Sequence, residues 1–253
     1  MAANSEGKAE MFEISIATYN IHKGYSALNR RFVLHELREN LRKLNADIVF
    51  LQEVRGEHEQ ALSPRPQHEF IAQDIWPHHA YGKNAVYDAG HHGNAILSRL
   101  PILNIINTDV SAHRFEQRGV LHCEIELPNG LPSLHCLCVH LGLFAKGRGV
   151  QFDALAGYIR QVVPASAPLI IAGDFNDWRN HAQHLFAQQL NLHEAFEMHA
   201  GQVARSFPVR FPMFKLDRIY VRGLTVTHSA VHAHAPWNRI SDHAALTATV
   251  CLP

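Results

Sequence analysis

Two short runs of continuously apolar residues constrain the fold of this 253-residue chain more than any other feature. Residues 48–51 (IVFL) and 169–172 (LIIA) are too short for independent helices and lack the alternation of a half-exposed strand. Such runs are typical of strands that are buried on both faces. We therefore predict that these two segments are central strands, with other elements packed on either side of them.

Helix-like segments lie between the strand-like ones. The leucines of residues 34–44 recur with helical spacing, and Asn29 is a candidate N-cap for that helix. A second helix is predicted over residues 150–163, where Pro164 ends it. The interleaving predicts a two-layer β-sandwich with helices packed outside it. Further strands are predicted over residues 12–19, 81–87, 95–98, 102–110, 119–127, 133–140, 217–221 and 244–250.

The organisation of the chain is simple. No repeat or long linker interrupts residues 12–253, so we expect a single domain after a flexible N-terminus of residues 1–11. The N-terminus has no apolar signal segment, and no apolar run approaches the roughly 18 residues of a membrane-spanning helix. These features predict a cytoplasmic protein and leave peripheral membrane contact open. The four cysteines lack a CxxC pair and are predicted to be buried thiols.

The charge balance disfavours tight, nonspecific binding to nucleic acid and leaves binding of an anionic substrate open. Lysine plus arginine equals aspartate plus glutamate, 23 of each, so the formal net charge is zero. This balance argues against tight, nonspecific binding to nucleic acid. It does not exclude an anionic substrate, because a bound metal ion supplies positive charge locally.

Polar side chains follow or precede the predicted strands at many points along the chain. Each one alone is explained by an ordinary turn or helix cap. Their coincidence at strand ends indicates a site, because such positions are rigid yet open to a cleft. Carboxylates suit Mg²⁺ or Mn²⁺, and a structural zinc spacing is absent. The residues concerned are Asn20, Glu53, His140, Asp174, Asn176, Asp217, Asp242 and His243.

Seven short motifs in this order resemble those of the endonuclease/exonuclease/phosphatase superfamily, which has the DNase I-like fold. The resemblance covers residues 12–251 and extends to an uncharacterised bacterial subfamily. Any one motif is weak, but seven in the same order are specific. They are ATYNI at 17–21, DIVFLQE at 47–53, GNAILS at 93–98, VHL at 139–141, AGDFND at 172–177, LDRI at 216–219 and ISDH at 240–243.

The resemblance implies a four-layer α/β-sandwich, in which two mixed sheets are flanked by helices, and metal-dependent phosphoester hydrolysis. It implies that Glu53 is the principal Mg²⁺ ligand, with Asn20 and Asp242 beside it and Mn²⁺ as the alternative ion. Asp174 is expected to orient or deprotonate the attacking water, and Asn176 to bond a phosphate oxygen.

The resemblance also implies roles for the two motif histidines. His243 is expected to contact the phosphate while Asp217 holds its imidazole in place. His140 is expected to be a second phosphate contact or the acid for the leaving group. Its presence makes an abasic-site endonuclease less favoured than the other branches. Asn94 and Arg118 are predicted to bind substrate, although an exposed ion pair explains Arg118 equally well.

The substrate stays open at this point. A phosphodiesterase acting on nucleic acid or a phospholipid is favoured, and no obligate protein partner is evident. A phosphomonoesterase of the inositol-phosphate type and an inactive binding protein on the same fold are the alternatives. Residues 205–215 (RSFPVRFPMFK) allow nucleotide stacking, lipid insertion or, as the favoured interpretation, packing of their phenylalanines on the core.

Overall fold

A computed structural model describes residues 12–28, 31–58, 65–88, 90–113 and 116–252. The predicted flexible N-terminus and the candidate cap Asn29 lie outside these residues. The strands are β1 Glu13–Asn20, β2 Ile48–His58, β3 His78–Tyr87, β4 Gly90–Ser98, β5 Ile102–Asp109, β6 Gly119–Ile125, β7 Leu134–His140, β8 Leu169–Asp174, β9 His193–Glu194, β10 Asp217–Arg222, β11 Thr225–His232 and β12 Ala245–Cys251. The helices are α1 Leu34–Leu44, α2 Gln67–Ala72, α3 Ala145–Val162, α4 His181–Leu190, α5 Ala195–Ala200 and α6 Trp237–Ile240.

The strands form two six-stranded sheets. The first sheet has the order β11-β12-β1-β2-β4-β3, and the second has the order β5-β6-β7-β8-β10-β9. Within each sheet one central pair is parallel, namely β1 with β2 and β7 with β8. The carboxyl ends of a parallel pair lie at the same edge, so each sheet brings two strand ends together there.

Three buried clusters define the layers. The largest lies between the sheets and joins residues such as Phe50 of β2 to Ile170 of β8. A second packs α1 and α2 on the outer face of the first sheet, and a third packs α3 and α4 on that of the second. The four-layer α/β-sandwich implied by the motif resemblance is confirmed. The apolar runs 48–51 and 169–172 are fully buried, because a sheet covers one face and helices the other.

One helix boundary differs from the prediction. Helix α3 begins at Ala145, five residues before the predicted start at 150. Gly147 and Gly149 lower the helix propensity of this first turn and weaken the periodic signal. The turn is held instead by the buried side chain of Arg148, whose Nη1 donates to the carbonyls of Gly142 and Leu143.

Two further findings, on the cysteines and on the helices, apply to the described residues only. The cysteines at positions 123, 136, 138 and 251 are free and buried, in agreement with the sequence prediction. Within the described ranges, the helices are all too short or too polar to cross a membrane.

A histidine pair is buried on the outer face of the second sheet. His122 Nε2 lies 2.9 Å from His135 Nδ1, and His122 Nδ1 lies 2.8 Å from the hydroxyl of Tyr158. Burial, aided by the neighbouring His135, lowers the pKa of His122 to about 4. The ring is therefore neutral in the folded protein at neutral pH.

This pair predicts a pH dependence of stability. In the unfolded chain His122 binds a proton below about pH 6.5, whereas in the folded protein the ring binds one only near pH 4. The contribution of neutral His122 to the stability of the fold is therefore complete above about pH 6.5 and declines as the pH falls toward 4. The stability difference between wild type and His122→Gln should narrow by about 1 kcal/mol from about pH 7.5 to about pH 5, allowing for partial solvent screening. Urea denaturation at each pH measures it. The exposed control His184→Gln should keep a constant difference from wild type, and a constant difference for His122→Gln would contradict the prediction.

Candidate active site

Glu53 reaches the site through an irregularity in β2. The pairing of β2 with β4 shifts register between Leu51 and Val54, and Glu53 lies within the shift with φ at 55°. A positive φ costs a non-glycine residue about 1–3 kcal/mol, and bulges commonly re-aim a side chain beside an active site. Glu53 lines a cleft of about 670 Å³, where its Oε2 lies 3.7 Å from Lys23 Nζ.

The carboxylate of Asp174 is the centre of the buried polar cluster. Its Oδ2 accepts a hydrogen bond from Asn20 Nδ2 at 3.2 Å. The same oxygen lies 3.6 Å from His140 Nε2 and 3.8 Å from His243 Nε2. Its Oδ1 accepts the backbone N–H of Asn176 at 2.9 Å. Because Asn20 ends β1 and Asp174 ends β8, their bond joins the two sheets at the edge where the parallel pairs end.

His243 is held by a second carboxylate. Its Nδ1 donates to Asp217 Oδ2 at 2.8 Å, which leaves Nε2 directed toward Asp174. The backbone N–H of Asp217 donates to the hydroxyl of Ser206 at 3.1 Å. The ring of Phe207 packs against the imidazole with centroids 4.9 Å apart. These contacts fix the orientation of the His243 ring.

Two of the histidines that line the cleft, His140 and His243, carry different charges. Burial opposes a charged imidazole at His243, but Asp217 and Asp174 outweigh it and raise the pKa of His243 to about 10. Burial, aided by cationic Arg118, lowers the pKa of His140 to about 3. Burial also raises the pKa of Asp174, although His243 counteracts that rise. The cleft therefore combines an imidazolium, a neutral imidazole and a carboxylate that readily accepts a proton.

Asp242 lies at the opposite side of Asn20. Its Oδ1 lies 3.4 Å from His22 Nδ1, and Asn20 Oδ1 accepts the backbone N–H of His22 at 3.1 Å. The hydroxyl of Ser241 donates to the carbonyl oxygen of Asn20 at 2.7 Å. The segment before β12 is thus tied to the end of β1, which brings Asp242 and His243 to the cleft.

Asn176 and Arg118 also line the cleft. Asn176 adopts a positive φ of 50°, and its Nδ2 donates to the carbonyl oxygen of Leu141 at 2.9 Å. One N–H of that amide remains for a ligand. Arg118 Nη2 lies 3.4 Å from Glu116 Oε1, while its Nε is buried without a hydrogen-bond partner among the described residues. Arg118 therefore combines an ion pair with a donor that a cleft ligand can use.

Asn94 is not brought to the cleft surface. Its side chain is 1% exposed, and its Nδ2 donates to the carbonyl oxygens of Gly119 and Cys138 at 3.0 and 3.2 Å. These bonds link β4 of the first sheet to β6 and β7 of the second. The geometry gives Asn94 a role in joining the sheets beneath the cleft, and its predicted contact with substrate stays a prediction.

Two donor groups in the cleft fit a divalent cation. Glu53 Oε2 is buried without a hydrogen-bond partner in the described part of the chain. Burial disfavours its ionisation, but the positive charges nearby, which include Lys23 and the His243 imidazolium, outweigh that effect and lower the pKa of Glu53, so it is a carboxylate. The other group is Asp174, Asp217 and His243, whose ligand atoms lie within 4.8 Å of one another. Because an imidazolium is not a metal ligand, the Glu53 position suits a hard cation better.

The cleft also contains residues that no sequence motif identified. Glu116 Oε1 accepts the backbone N–H of Leu143 at 3.1 Å in addition to pairing with Arg118. The hydroxyl of Tyr87 bonds to Nε2 of His92, which lies two residues before Asn94 and also lines the cleft. Tyr87 meets the cleft because the β3–β4 hairpin pairs it with Gly90, a register that one sequence does not specify.

Comparisons with known sequences give a consistent picture. The sequence profile described as the Endonuclease/Exonuclease/phosphatase family matches residues 17–243, which include every predicted site residue. The chain is 44% identical over 251 residues to "Uncharacterized protein YbhP" of Escherichia coli K12, an alignment that covers 97% of this chain and 99% of that protein. It is 30% identical over 131 residues to "UPF0294 protein VP2298" of Vibrio parahaemolyticus, covering 50% of this chain and 42% of that protein.

Solved structures share the fold at low sequence identity. An endonuclease/exonuclease/phosphatase from Beutenbergia cavernae superposes with a TM-score of 0.77 at 18% identity, covering 95% of this chain and 72% of that chain. Truncated TDP2 of Caenorhabditis elegans superposes with a TM-score of 0.71 at 19% identity, covering 95% and 98%. A Bacteroides vulgatus structure has a TM-score of 0.76 at 16% identity, covering 96% and 100%.

The Asp217–His243 pair predicts a measurable change in titration. Replacement of Asp217 by Asn removes the nearer carboxylate, so the pKa of His243 should fall by about one to three pH units. Heteronuclear NMR of the imidazole nitrogens in metal-free buffer measures this titration directly. The control Asp242→Asn should produce a smaller fall, because Asp242 contributes less to the raised pKa. A His243 titration that is identical in wild type and Asp217→Asn would contradict the assignment.

Proposed function

The chain belongs to the endonuclease/exonuclease/phosphatase family, and we propose that it hydrolyses phosphodiesters with the help of Mg²⁺ or Mn²⁺. The observation that carries the proposal is the position of Asp174. Its Oδ2 is held by Asn20 and lies within 4 Å of two imidazoles on the floor of an open cleft. That arrangement suits attack of water on phosphorus, which needs a proton acceptor beside donors for the phosphoryl oxygens.

The proton movements involve Asp174 and His243. Asp174 Oδ2 accepts the proton of the attacking water, and its buried environment makes it a better base than an exposed aspartate. His243 donates a hydrogen bond from Nε2 to a phosphoryl oxygen and neutralises charge that develops there. As the oxygen of water bonds to phosphorus, the P–O bond to the leaving alcohol breaks, and the leaving oxygen takes its proton from water in the open cleft. Asp217 keeps the imidazole cationic and fixes its orientation through Nδ1.

Three further donors complete the contacts with phosphate, two of them neutral and one cationic. His140 offers an N–H from a neutral ring, which favours a phosphate contact over the role of leaving-group acid. Asn176 offers the second N–H of its amide, and Arg118 offers its unpaired Nε. Arginine suits this place because its charge is permanent and its donors are arranged for phosphate.

Glu53, Asn20 and Asp242 are the residues that would hold the cation. When bound, a divalent ion polarises the phosphoryl oxygen and lowers the pKa of coordinated water. Asn20 has a second lone pair on Oδ1 beyond the one that accepts from His22. Lys23, which lies near Glu53 Oε2, would have to share that oxygen or turn away from it.

Metal binding distinguishes the two donor groups. Glu53→Gln should weaken Mn²⁺ binding by more than about tenfold, because the amide removes the ionised ligand that a hard cation prefers. Isothermal titration of the purified full chain gives the affinity. His243→Gln serves as the matched variant from the other group and should bind Mn²⁺ nearly as wild type does. The reverse ranking would place the cation at Asp174, Asp217 and His243 instead.

Turnover tests the proposed chemistry. Asp174→Asn or His243→Ala should lower hydrolysis of bis(p-nitrophenyl) phosphate by about 10²–10⁴-fold, the usual effect of removing a general acid or base. EDTA should abolish the activity, and added Mg²⁺ or Mn²⁺ should restore it. The exposed control His184→Ala should leave the rate unchanged.

A substrate panel then separates the alternatives. Single- and double-stranded DNA, RNA, inositol phosphates and phospholipids are compared with the synthetic diester under the same conditions. Preference for a monoester would replace the diester proposal with a phosphomonoesterase. Full turnover in Asp174→Asn and His243→Ala would refute the assigned roles, and absence of turnover on every substrate would favour an inactive binding protein.

A further inference from the structure

Three loops beside the cleft expose large apolar side chains. Leu143 and Trp178 line the cleft and are 52% and 44% exposed. Phe144, next to Leu143, is 70% exposed, and Phe211 is 73% exposed. We call this surface the cleft rim, and its members are Leu143, Phe144, Trp178, Phe211, Met213 and Phe214.

Loop 206–216 carries three members of the rim and contacts a fourth, Trp178. Phe207 of this loop lines the cleft, and its carbonyl oxygen accepts the backbone N–H groups of Met213 and Phe214. The ring of Phe214 meets that of Trp178 edge-on, with centroids 5.6 Å apart. The favoured sequence interpretation, in which the phenylalanines of this loop pack on the core, is therefore wrong for Phe211 and Phe214. Adjacent exposed apolar residues of this size commonly mark an interaction surface.

The three chain segments that carry the rim contain basic residues and no acidic ones. Residues 141–152, 178–193 and 198–216 include no aspartate or glutamate, although the chain as a whole has zero net charge. The exposed cations in these segments include Lys146, Arg179, Arg205 and Arg210. The charge of the rim thus complements an anionic surface.

A small basic pocket adjoins the same loop. Arg31, Arg210 and Arg239 line a cavity of about 230 Å³ together with the exposed Leu28. Arg31 is paired with Glu36 at 2.8 Å. The side chains of Arg210 and Arg239 form no ion pair within the described residues, so two guanidinium groups remain for an anion. Arginine suits a phosphate ligand because it donates two parallel hydrogen bonds.

We propose that the cleft rim docks on an anionic membrane surface. The apolar side chains of Phe144 and Phe211 enter the lipid interface, while Arg210 and Arg239 contact lipid phosphate groups. Interfacial binding of this kind combines buried apolar area with attraction to anionic lipid. Docking would bring the cleft to lipid phosphodiesters, and this consequence rests on the hydrolase function proposed above.

The composition of the rim favours lipid over nucleic acid as the occupant. Single-stranded nucleic acid is bound by aromatic rings on which bases stack, within a positively charged groove. Here the aliphatic side chains of Leu143 and Met213 are 52% and 50% exposed beside the aromatic ones, and aliphatic groups offer no stacking face. The two most exposed members, Phe144 and Phe211, lie on separate loops, as expected for side chains that enter an interface at several points.

Vesicle sedimentation tests the proposal with the purified full chain in EDTA. Vesicles of phosphatidylcholine alone are compared with vesicles that also contain phosphatidylglycerol. Wild type should bind the anionic vesicles and bind the neutral ones far more weakly. The double variant Phe144→Ser/Phe211→Ser should lose more than about tenfold in affinity. The double variant Arg210→Gln/Arg239→Gln should lose about 25-fold in affinity for the anionic vesicles, since each cation near the surface contributes about fivefold.

Controls separate docking from folding and from catalysis. Leu103→Ser removes an apolar side chain that is 55% exposed on β5, and Arg160→Gln removes a cation from α3; both should bind as wild type does. His243→Ala should also bind vesicles as wild type does, because docking needs no turnover. Failure of the hydrolase proposal would therefore leave the docking proposal intact. Thermal melting checks that each variant is folded.

Four results would overturn the proposal, and the first three concern vesicles alone. They are absence of binding to anionic vesicles, binding that survives both double variants, and equal binding to neutral and anionic vesicles. A fourth is absence of vesicle binding together with tight binding of a single-stranded oligonucleotide that the same double variants abolish, which would assign the rim to nucleic acid.

Discussion

The structure of the site depends on the contact between Asn20 and Asp174. Each residue ends a strand of a central parallel pair, and the pairs belong to different sheets. Face-to-face packing of the sheets brings the two strand ends together, so the cleft floor is set by the core and not by loops. Asp174 is 2% exposed in consequence, and its carboxylate depends on protein groups instead of water for hydrogen bonds. Asn20 and the backbone N–H of Asn176 provide those hydrogen bonds, and the imidazoles of His140 and His243 lie 3.6 and 3.8 Å away.

The buried charges of the cleft stabilise one another and are unfavourable singly. Removing one partner of a buried ion pair leaves an uncompensated charge and costs about 3–5 kcal/mol, whereas the intact pair contributes little net stability. His243 and Asp217 form such a pair, with exposed fractions of 6% and 1%. Backbone strain is a separate free-energy cost of folding, since Glu53 and Asn176 both adopt a positive φ. Strain at both a candidate ligand and a candidate phosphate contact is more easily explained by function than by folding.

The sequence predicts the floor of the cleft much better than its walls. The motifs identified the family, which the profile match over residues 17–243 confirms, and the four-layer fold followed from that resemblance. Strand-end residues such as Asp174 and His243 were predictable because buried apolar runs locate the strand ends. Tyr87 and Glu116 were not, because their positions depend on hairpin register and on a loop contact with Leu143. Asn94 belongs to one of the seven motifs, but its orientation between the sheets follows only from three-dimensional packing.

This division explains why family membership leaves the substrate open. Structures that share the fold are only 16–19% identical to this chain, yet they superpose over nearly its whole length. What these structures share with this chain is the arrangement of strands and helices. Under the proposed hydrolysis, substrate choice would depend on groups that reach beyond the phosphorus, and the segments placed to supply them are the tip of the β3–β4 hairpin, the segment before α3 and loop 206–216. Among the described residues, the side chains at 85–92 of that hairpin and at 206–216 belong to none of the three buried clusters, so such segments can change sequence without disturbing the sandwich. Under the proposed hydrolysis, the exposed phenylalanines and arginines are therefore a better guide to the substrate than the residues on the floor of the cleft.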